Sequence, residues 1–455
     1  MTHDDAARNA RRSILWSVLI FAVGLAGLSA AGWTFGAGPL EEPRIAGHAH
    51  GTLAPVFRML ATLGVVILVG RVLIMALAYV KQPPVIGDIL AGVALGPSLL
   101  GRFWPEAHHF LAPPEVLPAL GVLAWFGVSL YMFLVGLDFD SKELKGHGGT
   151  VLAVAAACLL LPLLFGAGSA LFLHSRYGLQ GVSFPALALF LGVATAVTAF
   201  PMLARLLIDR GMDQTTLGRV AIGAAALDDG IAWCLFAMAV GILEAAPGRA
   251  ALSVLSAVAF AVGLLFVARP LLARWLRNRH EPPTQGTLAL VFAGMLACIV
   301  TAELVGVNAV FGAFLWGFVI PRESGLAQQL VTRLRDVVTA LLLPAFFAYS
   351  GMRTDLGLAF APAALGWAVL VIVLATAGKL GGGYWASRAC GLPRSDALIV
   401  GALMNTRALM ELIALNIGLE ICAISRTVFA MFVLMAIATT MMTGPLVDLA
   451  QRRRA

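Results

Sequence analysis

Charge is scarce in this chain. Asp, Glu, Lys and Arg make up 12% of its 455 residues, against 60% hydrophobic, whereas a soluble globular chain carries about 25% charged residues. Long polar stretches are also missing. The longest loops run to about 20 residues, so no soluble domain fits anywhere, while apolar spans of about 20 residues recur from end to end. The five cysteines, Cys158, Cys234, Cys298, Cys390 and Cys422, are scattered singly. Without CxxC spacing they exclude a metal ribbon or redox motif and read as small core hydrophobes. No nucleophile–base pair, metal cluster or glycine-rich phosphate loop is present, which leaves an enzyme without support and calls for no cofactor. The formal net charge of +7 is not a nucleic-acid footprint, because the basic residues gather in loops on one side of a membrane.

What is there is a polytopic all-α membrane protein. Spans are expected at about 13–34, 53–80, 84–101, 116–138, 149–174, 183–208, 218–242, 249–268, 285–304, 306–320, 331–351, 359–386, 395–420 and 425–447, giving 13–14 transmembrane helices. With the N-terminus inside, the cytoplasmic loops hold about 21 of the 31 Lys and Arg and the opposite loops about 7. Arg71, Lys379 and Arg407 lie within spans. The bias favours both termini in the cytoplasm, and the expected location is the cell inner (plasma) membrane. The first span follows Arg8, Arg11 and Arg12 and ends in SAAGW, small residues that would suit signal-peptide cleavage. The topology closes with this span included, which favours an uncleaved helix.

Several spans are interrupted. The third carries Gly87, Gly92, Gly96 and Pro97; the sixth carries Thr195, Thr198 and Pro201; the thirteenth carries Gly401, Asn405, Thr406 and Arg407. Helix breakers at membrane depth are tolerated where the freed backbone lines a cavity or is buried in protein. There is also an internal echo. VIGDILAGVALGP resembles VNAVFGAFLWGFVIP, and FLVGLDFD resembles FFAYSGMRTD. The third span runs outward and the tenth inward, so the repeat is inverted, and the broken sixth and thirteenth spans take corresponding places in it.

Two adjacent carboxylates, Asp228 and Asp229, sit in the apolar run AIGAAALDDGIAWCLFAMAVGIL. One charge at the helix centre costs roughly 2.5–3.5 kcal/mol on insertion scales, so two side by side point to an ion or proton site with a basic partner elsewhere. A structural hydrogen-bond network is the alternative. Lys379, in LATAGKLGGGYW, is the best partner, since its glycines permit close helix approach; snorkelling toward the cytoplasmic interface is the competing reading. Successive helix positions point about 100° apart, so one aspartate can face Lys379 while the other faces a water-filled cavity. Titration of the two would be coupled. All eight histidines fall in loops or termini, so proton coupling here must use carboxylates or Lys. His48, His50, His108 and His109 lie on the outer side, where they could bind a metal or be ordinary loop residues. Thr198 can offer a hydroxyl to a cation beside freed carbonyls. Arg407 and Glu411 can pair along one helix and neutralise helix ends at a crossover. Asp88 and Asp138 lie nearer cytoplasmic helix ends, and Glu303 near the outer boundary.

The motifs TAFPMLARLLIDRGM, LGRVAIGAAALDDGIAW, AGKLGG and MNTRALMELIALNIG closely resemble the monovalent cation:proton antiporter-2 family. The likeness runs over residues 53–447 and is nearest to the branch of plant cation/H⁺ exchangers and their bacterial relatives. It implies the sodium/proton antiporter fold, with inverted repeats, a six-helix core, a separate dimerisation domain and two crossed broken helices. By similarity, Asp229 is the carboxylate that binds the cation or protons, with Asp228 at the preceding position and Lys379 as its charge partner. Thr195, Pro201, Asn405, Thr406, Arg407 and Glu411 would build the crossover. Having Asp228 with Lys379 departs from the Asn-Asp common in the plant branch and implies electrogenic exchange.

The organisation expected is thus an extra N-terminal helix with its outer loop (1–52) and an antiporter domain (53–450). In that domain, residues 149–268 and 359–447 would form the core, and 53–138 and 285–351 a dimerisation scaffold. No soluble regulatory domain is expected. The function expected is exchange of Na⁺ or K⁺ for H⁺ by alternating access in a homodimer. Gated potassium efflux with a separate subunit is one alternative, and organic-anion symport, which shares the crossed-helix architecture, is another.

Overall fold

The computed structural model describes residues 55–80, 82–113, 115–138, 148–212, 215–243, 255–256, 258–276, 284–305, 309–321, 325–407 and 409–452. The expected first span at 13–34, His48 and His50 lie outside them. Regular structure among the described residues is helical throughout. The longer helices in chain order are α1 (Pro55–Ala78), α2 (Pro84–Leu95), α3 (Val116–Asp138), α4 (Gly148–Tyr177), α5 (Phe184–Ala196), α6 (Phe200–Asp209) and α7 (Thr216–Leu243). They continue with α8 (Gln285–Leu304), α9 (Ala309–Val319), α10 (Leu326–Val337), α11 (Leu343–Met352), α12 (Pro362–Ala389), α13 (Arg394–Met404), α14 (Leu409–Glu420) and α15 (Arg426–Arg452). Residues 258–276 are also helical and include a π turn at Leu264–Ala268.

Ten helical stretches among the described residues are long and apolar enough to cross a membrane, and Ala309–Val319 is a shorter apolar helix. The chain is therefore a multi-pass membrane protein. The span expected at 331–351 is helical throughout, α10 running into α11 through a π turn at Val338–Leu342. The third span is interrupted at Gly96-Pro97 as expected: α2 ends at Leu95, Gly96 is extended, and a short helical turn resumes at Leu100–Phe103.

Local sequence explains where helices start and stop. Proline opens α1, α2 and α12, a position where its missing N–H is not needed. The hydroxyl of Thr284 caps α8 by accepting from the Thr287 amide at 3.3 Å. Helix α12 closes on Gly391, whose φ of +89° suits glycine. The Leu392 amide then donates to the Ser387 carbonyl at 3.1 Å.

The chain divides into two compact units, Met1–Ala124 with Pro344–Arg353, and Trp125–Leu343 with Thr354–Ala455. In the first, α1 packs on α2, and Leu63, Val66, Leu95, Leu120, Ala345, Ala348 and Met352 form one buried cluster. The second unit holds two matching triplets. Helix α4 packs on α5, the first half of the interrupted pair, and on α7, which also packs on α6; α12 packs on α13 and on α15. Each triplet is long helix, broken helix, long helix, which is the inverted repeat in structural form. The triplets join through α12 on α4 and α7 on α13.

Glycine makes that junction close. A Cβ at Gly382 of α12 would lie 2.6 Å from the Ala157 carbonyl oxygen of α4. One at Gly383 would lie 2.7 Å from Gly401 Cα of α13. Both are backbone contacts that cannot yield as a side chain would. Gly382→Ala is therefore expected to destabilise the protein by about 1–3 kcal/mol, the usual cost of overpacking. Thermal unfolding in detergent checks this; an unchanged transition would contradict the packing.

Candidate functional site

The interruptions in the two broken helices meet. Helix α5 ends as Val197 turns to ψ 134° and Ala199 to ψ 88°, and Phe200-Pro201 opens α6. Pro201 has no amide hydrogen to continue an earlier helix, and its ring excludes one. Helix α13 ends at Met404, and α14 begins at Leu409. The Ala199 amide donates to the Thr406 carbonyl at 3.0 Å, which ties one break to the other. Two helix C-termini (α5, α13) and two N-termini (α6, α14) thus converge, bringing partial negative and positive charge to one place.

The charged residues gather at that point. Asp228, Lys379, Arg407 and Glu411 are completely buried, and Asp229 is 7% exposed. Lys379 Nζ of α12 donates to Asp228 Oδ2 at 2.7 Å and to Thr198 Oγ1 at 2.5 Å. The Thr198 hydroxyl in turn donates to Asp228 Oδ2. Thr198 sits in the α5/α6 break, so its backbone is free to turn the hydroxyl toward the ion pair instead of up its own helix. Lys379 is thus an internal partner of Asp228, not a snorkelling residue. Asp228 Oδ1 and Asp229 Oδ1 have no hydrogen-bond partner among the described residues. Asp229, one position on and about 100° around the helix, has neither Lys379 nor Thr198 as a donor. The pair is asymmetric: Asp228 is committed, and Asp229 has oxygen to offer.

Arg407 stands at the other break. Its Nη1 lies 3.7 Å from Glu411 Oε2 and donates to the Ala194 carbonyl, in the last turn of α5, at 3.2 Å. The Arg407 amide donates to Thr440 Oγ1 of α15 at 3.3 Å, and Asn405 Nδ2 donates to the Thr439 carbonyl at 3.3 Å. Helix α15 therefore holds the second break open, a role the apolar-span reading did not assign to it. The signal was present in the run ATTMMTG, three threonines inside an apolar helix.

Other expected residues fall elsewhere. The Thr195 hydroxyl donates to its own helix at Leu191 (2.5 Å) and is not joined to the carboxylates. Asp138 pairs with Arg335, and Glu303 Oε2 accepts from the Ala309 amide at 3.2 Å, binding α8 to the start of α9. The rings of His108 and His109 stand edge to face 6.0 Å apart. Burial and the neighbouring imidazole hold His108 below the ordinary imidazole pKa. No group of three or more His, Cys, Asp or Glu among the described residues could hold a metal ion. Any ion at the crossover would draw on two carboxylates, a hydroxyl and freed backbone carbonyls, a sparse set of hard oxygen donors.

Residues 64–449 match the family described as sodium/hydrogen exchanger, transmembrane. The chain is 38% identical over 393 residues to the Na⁺/H⁺ antiporter NhaS4 of Synechocystis, covering 86% of this chain and 96% of that protein. It is also 38% identical to cation/H⁺ antiporter 18 of Arabidopsis thaliana, over 84% of this chain and 48% of that one. With K⁺/H⁺ antiporter 1 of Saccharomyces cerevisiae the identity is 30%, over 88% and 47%. The chain spans about half the length of these plant and yeast relatives. Its fold is similar to that of the sodium proton antiporter MjNhaP1 from Methanocaldococcus jannaschii. The TM-score is 0.67 at 13% identity, over 88% of this chain and 99% of that one.

Proposed function

This chain belongs to the sodium/hydrogen exchanger family, a family of membrane cation:proton antiporters, and we propose that it exchanges Na⁺ or K⁺ for H⁺ by alternating access at Asp229. The observation that carries this reading is the asymmetry of the aspartates. Lys379 and Thr198 both hold Asp228 Oδ2, while Asp229 takes no hydrogen bond from either and keeps slight exposure. One carboxylate with a single open negative charge can be neutralised by a proton or by a monovalent cation, not by both. That competition is the coupling. Because only a few oxygens converge, the ion is held weakly enough to leave, as a carrier requires.

Asp228 serves as the fixed charge beside the site, and its ion pair with Lys379 keeps the bilayer cost of burial down. Thr198 lends its hydroxyl to that pair and faces the ion. Thr195, Pro201, Asn405, Thr406, Arg407 and Glu411 shape the crossover. In the cycle, the core helices (149–268 and 359–447) rock against the scaffold (53–138 and 285–351). Two copies join through that scaffold as a homodimer in the plasma membrane, with both termini cytoplasmic. The exchange is electrogenic, moving more than one proton per cation. The site is a transport site, not an enzyme's, and it needs no cofactor.

In proteoliposomes with an imposed pH gradient, addition of Na⁺ or K⁺ is expected to dissipate the gradient, and Li⁺ and Rb⁺ serve as comparisons. An imposed membrane potential is expected to change the rate. No cation-dependent dissipation would overturn the exchange reading, and a rate indifferent to potential would overturn electrogenicity alone.

A further inference from the structure

More than one proton per cation requires a second proton acceptor, and the Asp229 site has room for one. Asp228 is committed to Lys379 and Thr198. Among the described residues the remaining fully buried carboxylate is Glu411. It lies in the first turn of α14, and neither of its oxygens has a hydrogen-bond partner among the described residues. Its one ionic neighbour, Arg407 Nη1, is 3.7 Å away, beyond hydrogen-bond range.

Glu411 is not the only group that Arg407 faces. Its Nη1 donates to the Ala194 carbonyl, so the guanidinium sits on the C-terminal, partially negative end of α5. A proton on Glu411 leaves Arg407 with that carbonyl and with the field of Asp228. Among the described residues, the helix faces packed on α14 carry no titratable group. The helices packed on α14 are α15 and α5; α5 (FPALALFLGVATA) has no titratable residue, and neither has the apolar stretch 428–447 of α15. The charges that do face this region are Arg407 from the break, Lys379 of α12, whose field reaches Glu411, and Asp228 of α7, which Arg407 acts on.

From this geometry we propose that Glu411 is the second proton site of the exchanger, coupled to Asp229 through Arg407, Asp228 and Lys379. The buried array holds three carboxylates and two basic groups. With all ionised its charge is one negative, which one bound cation neutralises. Protons on both Asp229 and Glu411 would leave it one positive. The two loaded forms then differ by one unit of charge, and the exchange moves net charge. Each proton is taken up from water on the open side and released on the other; no bond other than O–H is made or broken.

This inference rests on the exchange reading above, and the test separates the two. Purified protein in detergent is titrated with Na⁺ or K⁺ while a pH dye counts protons released. Wild type and Glu411→Asp are expected to release the full count, and Glu411→Gln to lose about one proton per bound cation. In parallel, infrared difference spectra on acidification of Asp229→Asn protein are expected to show a protonated-carboxyl stretch that Glu411→Asp shifts. That readout needs no transport and no folded Gln variant. An unchanged proton count in Glu411→Gln, or the lack of a stretch that moves with Glu411→Asp, would overturn the second site. Transport by Asp229→Asn would instead overturn the exchange reading.

Discussion

Asp229→Asn is expected to reduce cation-driven dissipation of a pH gradient to the level of protein-free liposomes. The substitution keeps shape and hydrogen-bonding capacity but removes the one ionisable position that Lys379 and Thr198 leave open. An amide oxygen can still touch a cation. It cannot exchange a proton for it, so whatever binding remains is uncoupled from pH. The fold should survive, because neutralising a buried carboxylate that has no salt-bridge partner relieves desolvation instead of breaking an attraction. Thermal unfolding should therefore show Asp229→Asn as at least as stable as wild type while transport is lost. If the variant still collapsed a pH gradient on addition of Na⁺ or K⁺, the assignment of the carrier site to Asp229 would be wrong.

Lys379→Gln is expected to have the largest effect on stability. Both members of the Asp228–Lys379 pair are completely buried and 2.7 Å apart. Removing the cation leaves Asp228 with the Thr198 hydroxyl as its remaining donor. Breaking a buried pair from one side typically costs about 3–5 kcal/mol, because the surviving charge has no compensation. The double variant Asp228→Asn with Lys379→Gln should recover much of that loss, since two neutral groups of similar shape replace the pair. A double-mutant cycle on unfolding in detergent measures the coupling. If Lys379→Gln alone were as stable as the double variant, Asp228 would not be charged in the resting protein.

Parts of this arrangement were legible in the chain and parts were not, for physical reasons. Proline at 201 and the polar triplet Asn405–Thr406–Arg407 are local signals, and local signals mark where a helix stops. Two carboxylates in an apolar run are equally visible, because their transfer cost stands out against any membrane span. Lys379 could be picked out by elimination, there being few bases within spans. The division of labour in the Asp-Asp pair was less accessible: resemblance supplied it, and the asymmetry of hydrogen bonding now supplies a geometric reason. Least accessible were contacts made by backbone across long separations. Nothing in the sequence says that Arg407 donates to the carbonyl of Ala194 or that Thr440 receives the Arg407 amide. A carbonyl oxygen carries no residue identity, so pattern reading has nothing to find. Hydropathy found the helix expected at 331–351, but it does not reveal the π turn at Val338–Leu342 within it.

The glycine contacts around Lys379 bear on how the site can work. With Gly382 against the Ala157 carbonyl and Gly383 against Gly401, the lysine-bearing helix has no clearance to slide or roll past α4 and α13. Cys158, buried in α4 with its Sγ 3.8 Å from the Lys379 carbonyl, lies in the same seam. On the exchange reading proposed above, a movement that exposes Asp229 to one solution and then the other carries Lys379 with it at constant spacing. The ion pair is then ballast that travels with the cargo, and gating must be done by walls outside this seam.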